Sequence, residues 1–338
     1  MNHPFVRRLA LVGPLILSAC GGGSSPNASN KPNVIPPQAV AKTVTVVQNK
    51  YGAWLWYADQ LGKTHTQIAD DMASIGVKRI IIKIGDGRRN CDRYTDVCNS
   101  AVPAIYKSRG IEPFTFSYNY TNDASTGVND AQYHALQAVA LTQSIQYGYM
   151  GHIIDIETEF DGVSGQLEDM LKAFRGAYTT AQTPGGLTES FAIGATTWGN
   201  PKDHSMRVDL IDKYVDFHMP QTYVEQWASN TRLGYCFSDT RLCIDAVNKE
   251  YRSLGVTKPI WHILAIEKNT ISPTQLAAFF EASGPNTSIW RIPDGGANGV
   301  PLSALDKWRT LDWTRLSFIP TQDSEALNFA VSTPLYRK

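Results

Sequence analysis

The sequence predicts a single (β/α)8 barrel, in which eight parallel strands close into a cylinder surrounded by helices. Eight short apolar runs alternate with helical patterns at roughly even spacing from about residue 50 onward. No linker-like stretch divides this alternation into two domains. The fourth run, 153–156, leads into two acids, Asp155 and Glu157, and active sites of such barrels lie at the carboxyl ends of the strands.

Length and composition agree with this fold class. The chain has 338 residues, 43% of them hydrophobic and 10% aromatic, and α/β barrels of more than 250 residues are common. Lysine plus arginine equals aspartate plus glutamate at 31 each, and no cluster of basic residues stands out. We therefore expect neither a nucleic-acid nor a polyanion partner. We also expect a monomer.

The amino terminus has the pattern of a secretory signal. Arg7 and Arg8 precede a short apolar run, and Leu-Ser-Ala-Cys ends at Cys20. This ending resembles a bacterial lipobox, which implies cleavage after residue 19 and a lipid anchor on Cys20. Gly21 in the next position implies sorting to the outer membrane. We expect an outer-membrane lipoprotein that faces the periplasm or the surface, with a flexible linker over 20–41 and the barrel over 42–338.

Four further cysteines form two equally spaced pairs, Cys91 with Cys98 and Cys236 with Cys243. Six residues separate the members of each pair, which in an oxidising periplasm predicts two local disulfides. A zinc site is the alternative, but neighbouring histidines and a Cys-x-x-Cys motif are missing. We expect no metal and no organic cofactor.

Helix start and stop signals set the order of the elements. Gly76, Gly110 and Gly255 each end a helical pattern, whereas Asn129 and Ser272 have the N-cap position of the following helices. The predicted strands are 53–57, 79–84, 112–118, 153–156, 191–197, 215–219, 259–265 and 288–292. The predicted helices are 66–75, 102–108, 129–146, 166–181, 206–213, 242–254, one from 272, and 303–308. A doubly wound sheet is the main alternative, but the first strand is not followed by the Gly-rich phosphate turn of that fold.

The residues at the predicted strand ends are mostly aromatic or acidic. Aromatic rings stack on the apolar faces of sugars, and carboxylates and amides bind their hydroxyl groups, so this composition predicts a carbohydrate site. The alternative is that each tryptophan belongs to the core. The set comprises Trp54, Trp56, Asp86, Tyr118, Tyr120, Asp155, Glu157, Trp198, Gln221, Tyr223, Glu267, Trp290 and Asp294.

Three short motifs carry a resemblance to known enzymes. Asp155-Ile156-Glu157 resembles the Asp-x-Glu of glycoside hydrolase families 18 and 25, which are (β/α)8 enzymes that act on N-acetylated glycans. The run 81–87 resembles the second strand of family 25 lysozymes, and 290–299 resembles their eighth strand and the loop after it. Residues 219–223 are similar to the sixth strand of family 18. The resemblance covers most of 50–310 in architecture but only these motifs in sequence.

The sequence also departs from both families. Family 18 has two further aspartates where this chain has Met150 and Ile153, and family 25 has an aspartate on the first strand, where 53–55 contains none. A catalytically inactive barrel that binds cell-envelope glycan is therefore the alternative function. A polysaccharide deacetylase would need a histidine-rich metal site, but the seven histidines are scattered.

The two acids of the motif have distinct expected roles. Glu157 is the candidate general acid, and Asp155 would raise its pKa. The resemblance implies that Asp155 also orients a substrate N-acetyl group, with Gln221 and Tyr223 holding the amide. Either Asp86 or Glu225 is a candidate second carboxylate.

A purely structural role for the acid pair is the alternative. In that case Asp155 and Glu157 would form a salt-bridged strand end with Lys83, Arg88 or Arg89. Glu159 and Asp161 are expected to be solvated loop acids, and His152 a hydrogen-bonded core histidine. The preferred hypothesis is a glycoside hydrolase that acts on peptidoglycan or an exported amino-sugar polysaccharide.

Overall fold

A computed structural model describes residues 51–123, 127–181 and 191–293 of the chain. Within these ranges eight parallel strands form a closed barrel in the order β1 to β8, each strand pairing with its neighbours in sequence and the last with the first. The predicted (β/α)8 barrel is therefore confirmed. The predicted signal peptide, Cys20, the linker, Asp294 and the helix 303–308 lie outside the described residues.

The elements follow one another as the alternation of apolar runs and helical patterns predicts. The strands are β1 Gly52–Leu55, β2 Arg79–Asp86, β3 Glu112–Tyr118, β4 Gly151–Asp155, β5 Ala192–Trp198, β6 Phe217–Gln221, β7 Ile263–Ala265 and β8 Ser288–Trp290. The helices are α1 His65–Ser74, α2 Ala101–Lys107, α3 Asp130–Tyr147, α4 Ser164–Ala181, α5 Val208–Ile211, α6 Val224–Trp227, α7 Thr240–Ser253 and α8 Pro273–Ser283.

Capping side chains fix several helix starts where the sequence predicts them. The Asn129 side chain accepts a hydrogen bond from the amide of Gln132 at the start of α3. Ser272 and Gln275 form a reciprocal capping box at the start of α8, and Pro273 occupies its first turn. No helix among the described residues is long and apolar enough to cross a membrane.

Side chains alternate between the interior of the barrel and the layer under the helices. On β2, Ile81 points inward, whereas Ile80 and Ile82 pack beneath the helices. The inner cluster is rich in large rings, so the barrel is filled by side chains instead of forming a pore. It comprises Trp54, Ile81, Phe114, Phe116, Ile153, Phe217, Met219, Trp261 and Ile263.

A buried cation closes the amino-terminal end of this inner cluster. The Arg79 guanidinium lies over the rings of Phe114 and Trp261, 4.8 and 4.4 Å from their centroids. Its Nη2 donates a 2.7 Å hydrogen bond to the Glu112 carboxylate. Contact with two aromatic rings and a charged partner compensate for the burial of the guanidinium.

Only one of the two predicted disulfides is present. Cys91 and Cys98 are bonded, with 5.5 Å between their Cα atoms, and the bridge closes the loop between β2 and α2. The prediction for the second pair is wrong in this structure, where Cys236 and Cys243 are free buried thiols. They lie on the 3-10 helix Gly234–Phe237 and in the first turn of α7, where the two thiols are hydrogen-bonded to each other inside the apolar core.

Candidate active site

The acid pair lies at the carboxyl end of β4. Asp155 is the last residue of the strand, and the Ile156 amide still bonds to the Thr196 carbonyl on β5, so that Glu157 comes directly after the strand and not within it. Both carboxyl groups reach a cavity of ≈ 260 Å³ at this end of the barrel. The cavity is lined by Trp54, Asp155, Glu157, Thr196, Trp198, Gln221, Tyr223, Gln226, Ile263 and Trp290.

Asp155 is the more deeply placed of the two acids, with 4% of its surface exposed. Burial raises the pKa of this carboxyl well above its ordinary value, and the neighbouring Glu157 charge raises it further. Asp155 Oδ1 has no hydrogen-bond partner. Oγ1 of Thr196, the register partner of Asp155 on the adjacent strand β5, has none either. Buried polar atoms are nearly always paired, so two unpaired ones on a cavity wall indicate a place for the polar groups of a ligand.

Glu157 lies nearer the opening and has a fixed orientation. Gln221, the last residue of β6, donates a 2.6 Å hydrogen bond from Nε2 to Glu157 Oε1. Burial raises the pKa of Glu157, and the hydrogen bond from Gln221 opposes that rise because it favours the charged form. The charge on Glu159 also raises this pKa, whereas a hydrogen bond with Asp155 and the charge on Lys83 lower it. Burial is the largest of these effects, so the net direction is upward. The expectation that Asp155 raises the pKa of Glu157 was therefore wrong.

The structure does not support a purely structural role for the pair. Lys83 is buried, but its Nζ binds Asp86 Oδ2 at 2.6 Å, and Arg88 pairs with Asp123 at 3.2 Å. Within the described parts of the chain, neither Asp155 nor Glu157 forms a salt bridge. The two acids therefore line the cavity without an ion pair to any lysine or arginine among the described residues.

Four aromatic side chains bring ring surface to the cavity. Trp54 is only 1% exposed, and its Nε1 donates a 2.9 Å hydrogen bond to Ser288 Oγ, so it serves as core and as cavity wall at once. Trp290 packs edge-on against it with 5.7 Å between centroids. Trp198 lines the wall from the end of β5, and Tyr223 lines it from the loop after β6.

Three predicted substrate-binding residues do not line this cavity. Trp56 is covered by the Arg291 guanidinium, 4.4 Å from its ring. The Tyr118 hydroxyl donates a 2.8 Å hydrogen bond to Glu159. Asp86 accepts from Tyr120 at 2.9 Å while it pairs with Lys83. These side chains form a polar and aromatic layer beside the cavity.

The proposed second carboxylate is also placed elsewhere. Glu225 is 3% exposed and accepts hydrogen bonds from the amides of Lys268, Thr270 and Ile271, so it anchors the loop after β7. Glu267 pairs with Arg291 at 2.9 Å. Asp155 and Glu157 are thus the two carboxyl groups among the described residues that line the cavity.

The acids expected to be solvated are engaged instead. Glu159 accepts from Tyr118, and Asp161 accepts from the indole of Trp198 and from His204, so that expectation was wrong for both. The short 3-10 helix Thr158–Phe160, which the sequence did not reveal, turns these acids back toward the barrel.

His152 is a core histidine, as expected. Its ring nitrogens lie 2.8 Å from Thr115 Oγ1 and 3.0 Å from Ser117 Oγ, and burial lowers its pKa to about 3. In the described ranges, no group of three or more histidine, cysteine, aspartate or glutamate side chains is arranged to hold a metal ion.

Sequence reasoning missed Thr196, Gln226 and Ile263 on the cavity wall. Thr196 and Ile263 lie on predicted strands, and period-two alternation within β5 and β7 identifies inward-facing positions, once the barrel is assumed. Gln226 lies in α6, a four-residue helix with no distinct sequence signal.

Neither a protein-family model nor a curated protein sequence matches the chain. Among solved structures, it is similar to a GH18 chitinase from Pseudoalteromonas aurantia, with 11% identity, a TM-score of 0.50, and 77% of this chain and 99% of that chain covered. An endocellulase from Pyrococcus horikoshii has 10% identity and a TM-score of 0.52, with 79% and 90% covered. A class V chitinase from Nicotiana tobaccum has 12% identity and a TM-score of 0.44, with 65% and 67% covered. At such identities the likeness concerns the fold, and this chain has the (β/α)8 barrel that these glycoside hydrolases share.

Proposed function

We propose that this protein hydrolyses glycosidic bonds in an amino-sugar polysaccharide of the cell envelope. The observation that carries the proposal is the cavity itself: two carboxyl groups with raised pKa values face indole and phenol rings at the carboxyl end of a barrel. A raised pKa lets a carboxyl group keep its proton to a higher pH, which favours general-acid cleavage of a glycosidic bond.

Glu157 is the general acid in this mechanism. It lies nearer the opening, and its orientation is set by Gln221, so its proton can be delivered to the oxygen that leaves with the departing sugar. As the C–O bond breaks, Glu157 becomes a carboxylate, and Gln221 remains to stabilise that charge. Water then supplies a proton to restore the acid and a hydroxyl group to the sugar carbon.

The nucleophile of the first step is the acetamido oxygen of the substrate, which bonds to the sugar carbon as the leaving oxygen departs. This bond breaks when water attacks the same carbon, and the acetamido group is restored. Retaining and inverting enzymes ordinarily use a second carboxylate, but Asp86 and Glu225 are bound by other groups, away from the cavity. Asp155, whose Oδ1 has no hydrogen-bond partner and whose register partner on β5 is Thr196, holds the amide of the sugar while the acetamido oxygen attacks. This arrangement favours substrates that carry an N-acetyl group.

The test is hydrolysis of N-acetylated amino-sugar polymers and purified sacculi, followed by the release of reducing ends. Glu157→Gln should lower kcat by roughly 10²- to 10⁴-fold, the range for loss of a general acid. Glu168→Gln, which changes a partly exposed acid on α4 outside the cavity, is the matched control and should retain activity. Equal release by wild type and Glu157→Gln would overturn the catalytic assignment.

A barrel that binds glycan without cleaving it is the second candidate. Met150 and Ile153, at the positions of the two missing aspartates, favour it. Calorimetry distinguishes the two functions, because a pure binding protein would bind oligosaccharides but release no reducing ends. In that case Glu157→Gln would change neither measurement.

We also propose that Cys20 carries a lipid that anchors the protein to the outer membrane. The support is the Leu-Ser-Ala-Cys sequence after an apolar run, followed by a Gly- and Ser-rich stretch. Metabolic labelling with a fatty acid should mark the wild type but not Cys20→Ser, and membrane fractionation should show the wild type with the outer membrane. Label on both proteins, or on neither, would contradict this proposal.

A further inference from the structure

Trp198 differs from the other cavity tryptophans in how it is held. It is the last residue of β5, it is only partly buried, and it lines the cavity. One face of its indole stacks on the His204 imidazole, with 4.1 Å between centroids and 15° between planes. Its Nε1 donates a 2.9 Å hydrogen bond to Asp161 Oδ1.

The same acid also holds the histidine. His204 Nδ1 lies 2.9 Å from Asp161 Oδ2, so one carboxylate uses its two oxygens on two stacked rings. His204 belongs to the 3-10 helix Pro201–His204 after β5, and Asp161 follows the 3-10 helix after β4. Two separate loops are thereby joined to fix the plane of one indole.

The position of this indole relative to the acids is set by the strands. Trp198 is the register partner of Gln221, and Gln221 donates to Glu157. In the strand order, β5 is opposite β1, which carries Trp54, and Trp54 packs on Trp290 of β8. Indole surface therefore lines the cavity from opposite sides, with the acid pair on the neighbouring strand β4.

We propose that Trp198 is a preset stacking surface for a second sugar ring, next to the ring held by Asp155, and that Asp161 and His204 are its positioning residues. This inference rests on the proposed carbohydrate specificity and adds a second binding position to it. A ring plane fixed before binding avoids the loss of side-chain freedom that a mobile tryptophan would undergo. Asp161 and His204 act through Trp198 and need not touch the sugar.

The experiment measures binding of the N-acetylglucosamine tetramer by calorimetry, in the Glu157→Gln background so that no cleavage occurs. Trp198→Ala should raise Kd about tenfold, which corresponds to ~1.4 kcal/mol. Asp161→Ala and His204→Ala should each raise Kd several-fold. Asp161→Asn keeps an oxygen acceptor for the indole, and His204→Phe keeps the stacked ring, so both should restore most of the affinity.

Rescue by these conservative variants separates positioning from a general loss of fold. Asp209→Ala, which removes an acid paired with Arg207 away from the cavity, is the matched control and should leave Kd unchanged. Circular dichroism and thermal unfolding of every variant check that the barrel is intact. Unchanged Kd in Trp198→Ala, or no binding of the tetramer by the Glu157→Gln parent, would overturn the inference.

Failure of the inference and failure of the proposed function give different results. If wild type releases reducing ends but Trp198→Ala binds like its parent, hydrolysis stands and the stacking surface is refuted. If wild type releases none but tetramer binding depends on Trp198 and Asp161, the stacking surface stands and hydrolysis is refuted.

Discussion

Gln221 Nε2 lies 2.6 Å from Glu157 Oε1 and joins the end of β6 to the acid that follows β4. This hydrogen bond favours the ionised carboxylate and therefore holds the pKa of Glu157 below the value that burial alone would give. The strength of this one contact should influence the pH at which Glu157, the proposed general acid, loses its proton.

Gln221→Leu removes the donor and should raise the pKa of Glu157. Since a general acid works in its protonated form, the alkaline limb of the kcat/KM profile should move upward by about one pH unit, as expected for loss of a hydrogen bond to a charged group. Gln226→Leu removes an amide from the same cavity and should leave the limb in place. A limb that moves downward in Gln221→Leu would contradict the assignment of Glu157.

Asp155→Asn should stabilise the protein at neutral pH. Burial raises the pKa of Asp155 in the folded state, so the folded state holds its proton more tightly than the unfolded chain does. The free energy of unfolding is therefore highest below the ordinary carboxyl pKa and falls as the pH rises from about 4 toward the raised value. An asparagine cannot ionise, so urea unfolding should find the variant more stable at pH 7, by ~1 kcal/mol or more, with little difference near pH 3.

Asp212→Asn provides the control with the opposite sign. Burial tends to raise the pKa of Asp212, but hydrogen bonds from His218, Thr257 and the Lys258 amide lower it overall. Ionised Asp212 therefore adds to the free energy of unfolding at pH values above the carboxyl pKa of the unfolded chain, and this stabilisation is lost as the pH falls toward the lowered pKa of the folded state. Asp212→Asn should therefore be less stable than wild type at pH 7, and a stabilised Asp212→Asn together with a destabilised Asp155→Asn would refute both assignments.

Glu112→Gln should destabilise the barrel from its amino-terminal end. The variant leaves the Arg79 guanidinium buried without its carboxylate. Removing one partner of a fully buried pair costs about 3–5 kcal/mol, and because Glu112 is partly exposed we expect roughly 2–3 kcal/mol. The double variant Arg79→Met with Glu112→Gln should recover much of this loss in urea unfolding. A double variant no more stable than Glu112→Gln would show that stacking on Phe114 and Trp261 matters more than the charge.

A thiol reagent should detect two free thiols when the protein is unfolded without a reducing agent. With Cys20 replaced by serine, Cys236 and Cys243 are the free cysteines and Cys91 and Cys98 are bonded. A thiol reagent in denaturant should report two thiols in the wild-type barrel and none in Cys236→Ser with Cys243→Ser. A count of zero in the wild-type protein would show that the second pair is bonded after all.

Loss of the Cys91–Cys98 disulfide, in Cys91→Ser with Cys98→Ser, should lower the free energy of unfolding by ~2 kcal/mol, because the loop that it closes is small.

The sequence predicted the barrel because each element carries its own local signal. β3 has the predicted bounds 112–118, and Asn129 and Ser272 cap the helices that they were expected to cap. The predicted ends of the strands were less accurate. β7 begins at Ile263 because the preceding residues make only an isolated bridge, between Ile260 and His218, instead of a continuous ladder.

The order of the strands predicted which residues reach the cavity. It could not predict which acids are engaged by hydrogen-bond partners elsewhere in the chain. Asp155, Trp198 and Gln221 reach the cavity because they end adjacent strands. Whether an acid is available for chemistry depends on contacts distant in sequence, such as Asp161 with Trp198 or Glu225 with the 268–271 backbone. Equal spacing of two cysteine pairs likewise cannot reveal which pair is oxidised.

The aromatic rings packed beneath Trp54 determine how a ligand can enter and leave the cavity. Because Phe116, Phe114 and Trp261 fill the interior down to Arg79, the cavity does not continue through the barrel to its amino-terminal end. A ligand can therefore enter and leave only at the carboxyl-terminal face of the barrel. In the proposed hydrolase, cleaved fragments would leave at the face where new chains arrive, and turnover would slow as they accumulate.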